Sequence, residues 1–148
     1  MANRTRTMRE FALIEDFFST GTARRAEVIL GIGDDAALLR VPPDQKLVTA
    51  IATARDPMRA EPPELLGRRA LQDSLDRLRD LGATPAWATL ALTMPEVDRD
   101  WLTRFSDAMK DLAKRSDVCL VGGDTTQGSL TVTVVSNGYL PISTNGVA

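Results

Sequence analysis

Histidine is missing from all 148 residues, and cysteine occurs once. The first absence removes the commonest general base and the commonest zinc ligand, so histidine triads and zinc hydrolase centres are excluded. The second leaves Cys119 with no partner in the chain for a disulfide. It sits in the apolar run Val118-Cys119-Leu120-Val121, reads as a small buried side chain and not a nucleophile, and suits a reducing cytoplasm. No apolar stretch approaches the roughly 18 residues that cross a bilayer. Met1 to Glu10 has no apolar run behind its arginines, so a signal peptide is not expected either. Neither sign of charge dominates: 18 basic and 20 acidic residues interleave to a net charge of -2. That balance favours neither nucleic acid nor an anionic membrane as partner. The glycine-rich phosphate loop ending in lysine and the dinucleotide fingerprint are absent as well.

What remains is 43% apolar residues, enough for one core and too little chain for two ordinary domains, so residues 1–148 read as a single domain. Phe11, Ile14, Phe17 and Phe18 recur at helical spacing before Ser19-Thr20-Gly21-Thr22. Val28 to Ile32 and Ala36 to Leu39 read as strands around a turn, and Pro42-Pro43-Asp44 as the next turn before a strand from Lys46 to Thr53. From Pro62 to Leu81 the residues Leu65, Leu66, Ala70, Leu71, Leu75, Leu78 and Leu81 predict a long amphipathic helix stopped by Gly82. A strand from Pro85 to Thr93 follows. A second helix from about Asp98 to Arg115 carries Trp101, Leu102, Phe105, Ala108, Met109 and Leu112 on one face, and Val118 to Val121 and Leu130 to Tyr139 are the last strands. The expected fold is α+β, a mostly antiparallel sheet with two long helices packed on one face. Trp87, Trp101, Phe105 and Met109 are expected in the core.

Two glycine-aspartate segments stand out. Gly31-Ile32-Gly33-Asp34-Asp35 places two carboxylates at a tight turn, where they can converge on a hard cation such as Mg²⁺ shared with nucleotide phosphates. Gly122-Gly123-Asp124-Thr125 reads as a second such turn, at the end of an apolar strand. Either alone is as readily a plain turn; together they point to a shared metal-nucleotide site.

Glu10-Phe11-Ala12-Leu13-Ile14, Gly31 to Ala37, Leu81-Gly82-Ala83-Thr84-Pro85-Ala86-Trp87, Leu90-Ala91-Leu92-Thr93-Met94-Pro95 and Val121 to Thr126 occur together, in that order. In this order and spacing the chain resembles the N-terminal, nucleotide-binding half of thiamine-monophosphate kinases, in the superfamily of aminoimidazole ribonucleotide synthetase and selenophosphate synthetase. The resemblance implies ATP-dependent phosphoryl transfer in thiamine biosynthesis. It also implies a second, C-terminal domain that this sequence lacks, and a homodimer paired through the sheets. For Asp34, Asp35 and Asp124 it implies binding of Mg²⁺ and ATP phosphates, with Gly33, Gly122, Gly123 and Thr125 as cofactor-binding neighbours.

The departures from that family are as specific as the matches. Where it has a metal-binding aspartate on the strand after Lys46, this chain has Ala52; the substrate-side histidine aligns with Arg59, and an aspartate of the long helix with Arg77. A cation in place of an acidic ligand replaces attraction with repulsion, so no intact catalytic set is expected. Arg68, Arg69, Gln72, Asp73, Asp76, Arg77, Arg79 and Asp80 form a charged face with pairs such as Arg69/Asp73 and Asp73/Arg77 expected on spacing. That face reads as built for water. The resulting expectation is an isolated, catalytically silent nucleotide-binding domain with residual Mg²⁺-ATP binding at most. The alternative is an engineered, resurfaced scaffold, sheet-paired or not, with no ligand.

Overall fold

The computed structural model describes residues 13, 16–33 and 36–142. Their order is β1 (Val28–Leu30), β2 (Leu38–Leu39), β3 (Gln45–Arg55), α1 (Pro63–Asp80), β4 (Thr84–Met94), α2 (Arg99–Arg115), β5 (Cys119–Gln127) and β6 (Thr131–Pro141). β1 and β2 form a small antiparallel pair, and the other strands form one sheet in the order β3-β6-β4-β5. β6 runs antiparallel to both β3 and β4, whereas β4 and β5 are parallel. Parallel neighbours need a crossover, and α2 supplies it. The sheet is therefore mixed, with two antiparallel pairings and one parallel.

Local chemistry sets the helix ends. Pro63 opens α1, where a missing N–H costs nothing, and Glu64 lies in the first turn with Arg77 and Arg79 in the last. Gly82, at φ +90°, lets Gly82 N–H reach Arg79 C=O at 2.9 Å and Ala83 N–H reach Leu78 C=O at 3.0 Å, which closes the helix. In α2 the Asp98 carboxylate accepts the Trp101 N–H at 3.1 Å as N-cap.

Both helices cover one face of the sheet. Leu66, Ala70, Leu71, Leu75 and Leu78 of α1 meet Trp101, Leu102, Phe105 and Met109 of α2, with Leu90, Leu92, Val132 and Val134 of the sheet beneath. The helices approach closely at Gly67, where a Cβ would stand 2.7 Å from the Phe105 carbonyl oxygen. Phe18 meets Phe105 edge-on at 6.2 Å, and Trp101 stacks on Phe105 at 4.8 Å. Of the expected N-terminal helix, Leu13 and residues 16–18 are helical and Leu13, Phe17 and Phe18 are buried; Phe11 and Ile14 lie outside the described residues. On the opposite face, Val28, Ala37 and Leu39 of the hairpin region cover Trp87, Tyr139 and Val121.

Three expectations need correction. Gly122-Gly123-Asp124-Thr125 is not a turn but the middle of β5, which runs to Gln127 beside β4. The glycines serve close approach instead: a Cβ on Gly123 would stand 2.1 Å from the Leu90 carbonyl oxygen, so only glycine admits this pairing. Leu65 and Leu81 are exposed, not part of the buried stripe, because Leu65 is turned off the sheet-facing side and Leu81 follows the last helical turn. The charged face of α1 is paired differently from its spacing: Arg69 reaches Glu61 at 2.9 Å, Arg79 reaches Asp76 at 3.8 Å, and Gln72 donates to Asp76 at 2.7 Å. Partners on loops compete with partners on the same helix, and spacing cannot see them.

Candidate functional site

Strand register places Asp124. It stands opposite Ala91 of β4, Ala91 opposite Thr133 of β6, and Thr133 opposite Thr53 of β3. The next row along the strands is Thr126, Thr93, Thr131 and Arg55. Side chains alternate across a sheet, so both rows share the face away from the helices. Hydroxyl pairs knit the rows, Thr53 with Thr133 at 3.0 Å and Thr93 with Thr126 at 2.7 Å. The Asp124 carboxylate is exposed on this polar face. Thr125 alternates to the other side and is buried beneath the helices, so it diverges from Asp124. Gly122 lies on the Asp124 face, opposite Thr89, whereas Gly123 is given to backbone packing.

The hairpin region carrying the first glycine-aspartate segment packs on the same face, over Trp87 and Tyr139. Gly33 has φ +124°, a conformation other residues adopt at a cost, and a Cβ there would meet nothing within 4 Å. Asp34 and Asp35 lie outside the described residues. Val28, Ala37 and Leu39 flank that segment on the Asp124 face, whereas Ile32 within it packs against the helix-side core. Among the described residues no three His, Cys, Asp or Glu side chains gather as a metal cluster, and Asp124 is the one expected metal ligand within them.

Two of the departures meet in space. Ala52 of β3 is 4% exposed, with its side chain on the helix face, and the Arg77 guanidinium of α1 donates to the carbonyl oxygen of the preceding residue, Ile51. Arg59, at φ +50°, is held between Glu96 and Asp98, each at 3.5 Å. Buried Asp56 accepts the N–H groups of Ala60 and Glu61, both at 2.9 Å, and so shapes the loop that presents Arg59. Sequence reasoning passed over Asp56, although an aspartate before a proline is a turn signal.

Four titrating groups, Glu64, Arg104, Cys119 and Tyr139, are displaced by their surroundings. A hydrogen bond from Arg104 holds the Glu64 carboxyl below its ordinary range. Burial pushes the Cys119 thiol up, against a hydrogen bond from Thr22 and the charge of Arg25. Burial, with the nearby Glu27 charge, raises Tyr139, whose hydroxyl donates to the Arg40 carbonyl at 3.0 Å.

A four-stranded mixed sheet with two helices on one face and a small hairpin on the other is the architecture of a known class. Over residues 33–140 the chain matches the AIR synthase related protein, N-terminal domain, and it belongs to that family. Within the family it is similar to the N-terminal part of thiamine-monophosphate kinases. The Escherichia coli K12 enzyme is 43% identical over 136 residues, covering 90% of this chain and 42% of that protein. The crystal structure of the Stenotrophomonas maltophilia thiamine-monophosphate kinase superposes with a TM-score of 0.78 at 36% identity, over 87% of this chain and 42% of that one. A hydrogenase maturation protein HypE, crystallised with ATP, shares the fold at 22% identity and a TM-score of 0.72, over 88% of this chain and 40% of that one. The chain spans about two-fifths of the length of the curated relatives it matches. Among the described residues no helix is long and apolar enough to cross a membrane.

Proposed function

We propose that this domain binds Mg²⁺-nucleotide weakly through Asp34, Asp35 and Asp124, with Gly33 and Gly122 as neighbours, and does not itself transfer a phosphoryl group. The observation that carries this reading is the bond from Arg77 to the Ile51 carbonyl, beside Ala52. It sets a fixed cation where the kinase resemblance calls for carboxylates. Asp124 is the one carboxylate of the expected set among the described residues, while Ala52 and Arg77, on the helix side of β3 at the other edge of the sheet, supply no ligand oxygen; the described donor set therefore fits a single ion and does not fit a multi-ion site. Mg²⁺ there would neutralise phosphate charge. The chain's own part is to hold the Asp124 carboxylate on a rigid strand. A cytoplasmic setting, where nucleotide is abundant and Cys119 stays reduced, accords with this role.

Titration with Mg²⁺ and a non-hydrolysable ATP analogue, read as melting temperature, tests it. An upward shift at millimolar ligand that disappears in Asp124→Asn is the expected result. No shift at those concentrations sinks the binding reading.

A second reading, a sheet-paired homodimer acting as scaffold, is favoured by the apolar residues on the helix-free face. Leu47 and Ile51 are 48% and 54% exposed there, an unusual state for large aliphatic side chains sharing one sheet face. Sedimentation across micromolar concentrations decides it, since a strictly monomeric species defeats the pairing.

A further inference from the structure

Arg59 is one of two residues other than glycine, among those described, with a left-handed backbone; its φ is +50°. A residue with a side chain adopts that conformation at a cost, so its surroundings must hold it there. Residues 56–61 wind about Asp56. The Asp56 carbonyl accepts the Arg59 N–H at 3.0 Å, and its buried carboxylate accepts the N–H groups of Ala60 and Glu61. The two ends of this turn are anchored. Asp56 N–H donates to the Leu130 carbonyl at 3.1 Å, and the Glu61 carboxylate pairs with Arg69 of α1 at 2.9 Å. Pro57 to Ala60, between the anchors, are exposed.

From the turn, Arg59 reaches across to the connection between β4 and α2. Its Nη1 stands 3.5 Å from Glu96 and its Nη2 3.5 Å from Asp98. With these two carboxylates it lines a small hollow whose apolar side is Met94, Trp101 and Leu130, all buried members of the helix-side core. The ion pairs are long and wet, because the Glu96 side chain is 75% exposed and that of Asp98 46%. Such pairs are weak and readily screened. Asp98 also caps α2 through the Trp101 N–H, so the carboxylate that holds Arg59 is seated directly on the residue lining the hollow.

Two opposed effects therefore meet at one residue. Backbone strain favours release of Arg59 to a negative φ, and the two carboxylates favour its present place. We propose that Arg59 is a salt-sensitive latch: its pairs with Glu96 and Asp98 hold the turn of residues 56–61 shut over Trp101, and screening them releases the turn and uncovers the indole. In the released form residue 59 relaxes, the Ala60 and Glu61 amides leave the Asp56 carboxylate, and the anchors at Leu130 and Arg69 keep the segment attached. Salt shifts the balance because it weakens the pairs and leaves the strain untouched. The latch is independent of nucleotide binding at Asp124, since its hollow lies on the helix side of the sheet and Asp124 on the other.

Acrylamide quenching of Trp101 fluorescence reads the latch in the full chain, with Trp87→Phe removing the other tryptophan. From about 10 mM to about 1 M NaCl the screening length falls from about 30 Å to about 3 Å. Over that range the quenching constant is expected to rise about twofold, the size set by weak exposed ion pairs. Arg59→Ala should show the raised value at both salt concentrations, and Glu96→Gln, which spares the α2 cap, should move the rise to lower salt. Hydrogen exchange at the Ala60 and Glu61 amides, measured in the unsubstituted chain, should quicken with salt and in Arg59→Ala. Arg59→Gly, unstrained at φ +50°, should expose Trp101 yet keep those amides slow. A parent whose quenching and exchange ignore salt, or a folded Arg59→Ala chain that matches the parent at low salt, overturns the latch. So does an equal salt response of Trp87 in Trp101→Phe, which would report general loosening.

Discussion

Ser74 of α1 and Ser136 of β6 share a hydrogen bond between their hydroxyls inside the core, where neither side chain meets solvent. Ser74 has a further acceptor, the Ala50 carbonyl at 3.4 Å. Replacing Ser74 by alanine strands the Ser136 hydroxyl, whereas replacing Ser136 leaves Ser74 a place to donate. Ser74→Ala is expected to cost about 1–3 kcal/mol and Ser136→Ala less, with the double variant close to the parent in stability. Urea denaturation of the three variants measures the order.

Gly123 has no room for a side chain beneath the Leu90 carbonyl. Gly123→Ala must push β4 and β5 apart or shift their register, and a cost of about 3 kcal/mol is expected from backbone overpacking. Gly122→Ala, where a Cβ meets nothing within 4 Å, serves as the control and is expected to melt near the parent temperature.

Asp98 serves two partners, capping α2 through the Trp101 N–H and holding Arg59 at 3.5 Å. Asp98→Ala is expected to lower stability by about 1 kcal/mol, chiefly through the lost cap. Asp98→Asn keeps an acceptor for the cap while weakening the ion pair, and so should recover most of the loss in a thermal melt.

Arg77 can be tested by reversal. Ala52→Asp with Arg77→Asp removes the cation and returns two carboxylates on the helix side of β3, and a Mg²⁺-dependent melting shift that persists in Asp124→Asn is expected. A shift lost in Asp124→Asn would show that these two positions hold no ion.

The Cys119 thiol is raised by burial, so the folded chain holds its proton at a pH where the unfolded chain, with a thiol near the ordinary value of about 8.5, begins to lose it. Its contribution to stability is therefore complete below that ordinary value and is lost as pH rises through the folded value. Relative to Cys119→Ser, the parent should lose stability between pH 8 and 10. Iodoacetamide should also alkylate native Cys119 more slowly than the denatured chain at pH 8.

Much of this architecture is legible in the order of residues alone. The leucine spacing of α1 and the Trp101, Phe105, Met109 stripe of α2 mark the buried faces, because a helix writes its own period into the sequence. Asp98 announces its helix in the same local way. Arg77 and Ala52 are visible there as departures, but only the fold shows them meeting beside Ile51. Arg25 gives no signal at all, since its partners, Glu27 and Asp117, come from its own loop and from the far end of α2.

The sequence by itself determined the two long helices, most of the strands, and the placement of Gly33 at a turn. Those follow from periodicity, capping and backbone sterics within a few residues. Only the tertiary structure decided that Gly122 to Thr125 is a strand and not a turn, that Asp124 and Thr125 face opposite ways, and that Arg59 reaches Glu96 and Asp98. Each depends on a neighbour distant in the chain: β4 beside β5, helices over one face, and the turn after β3 brought against the start of α2.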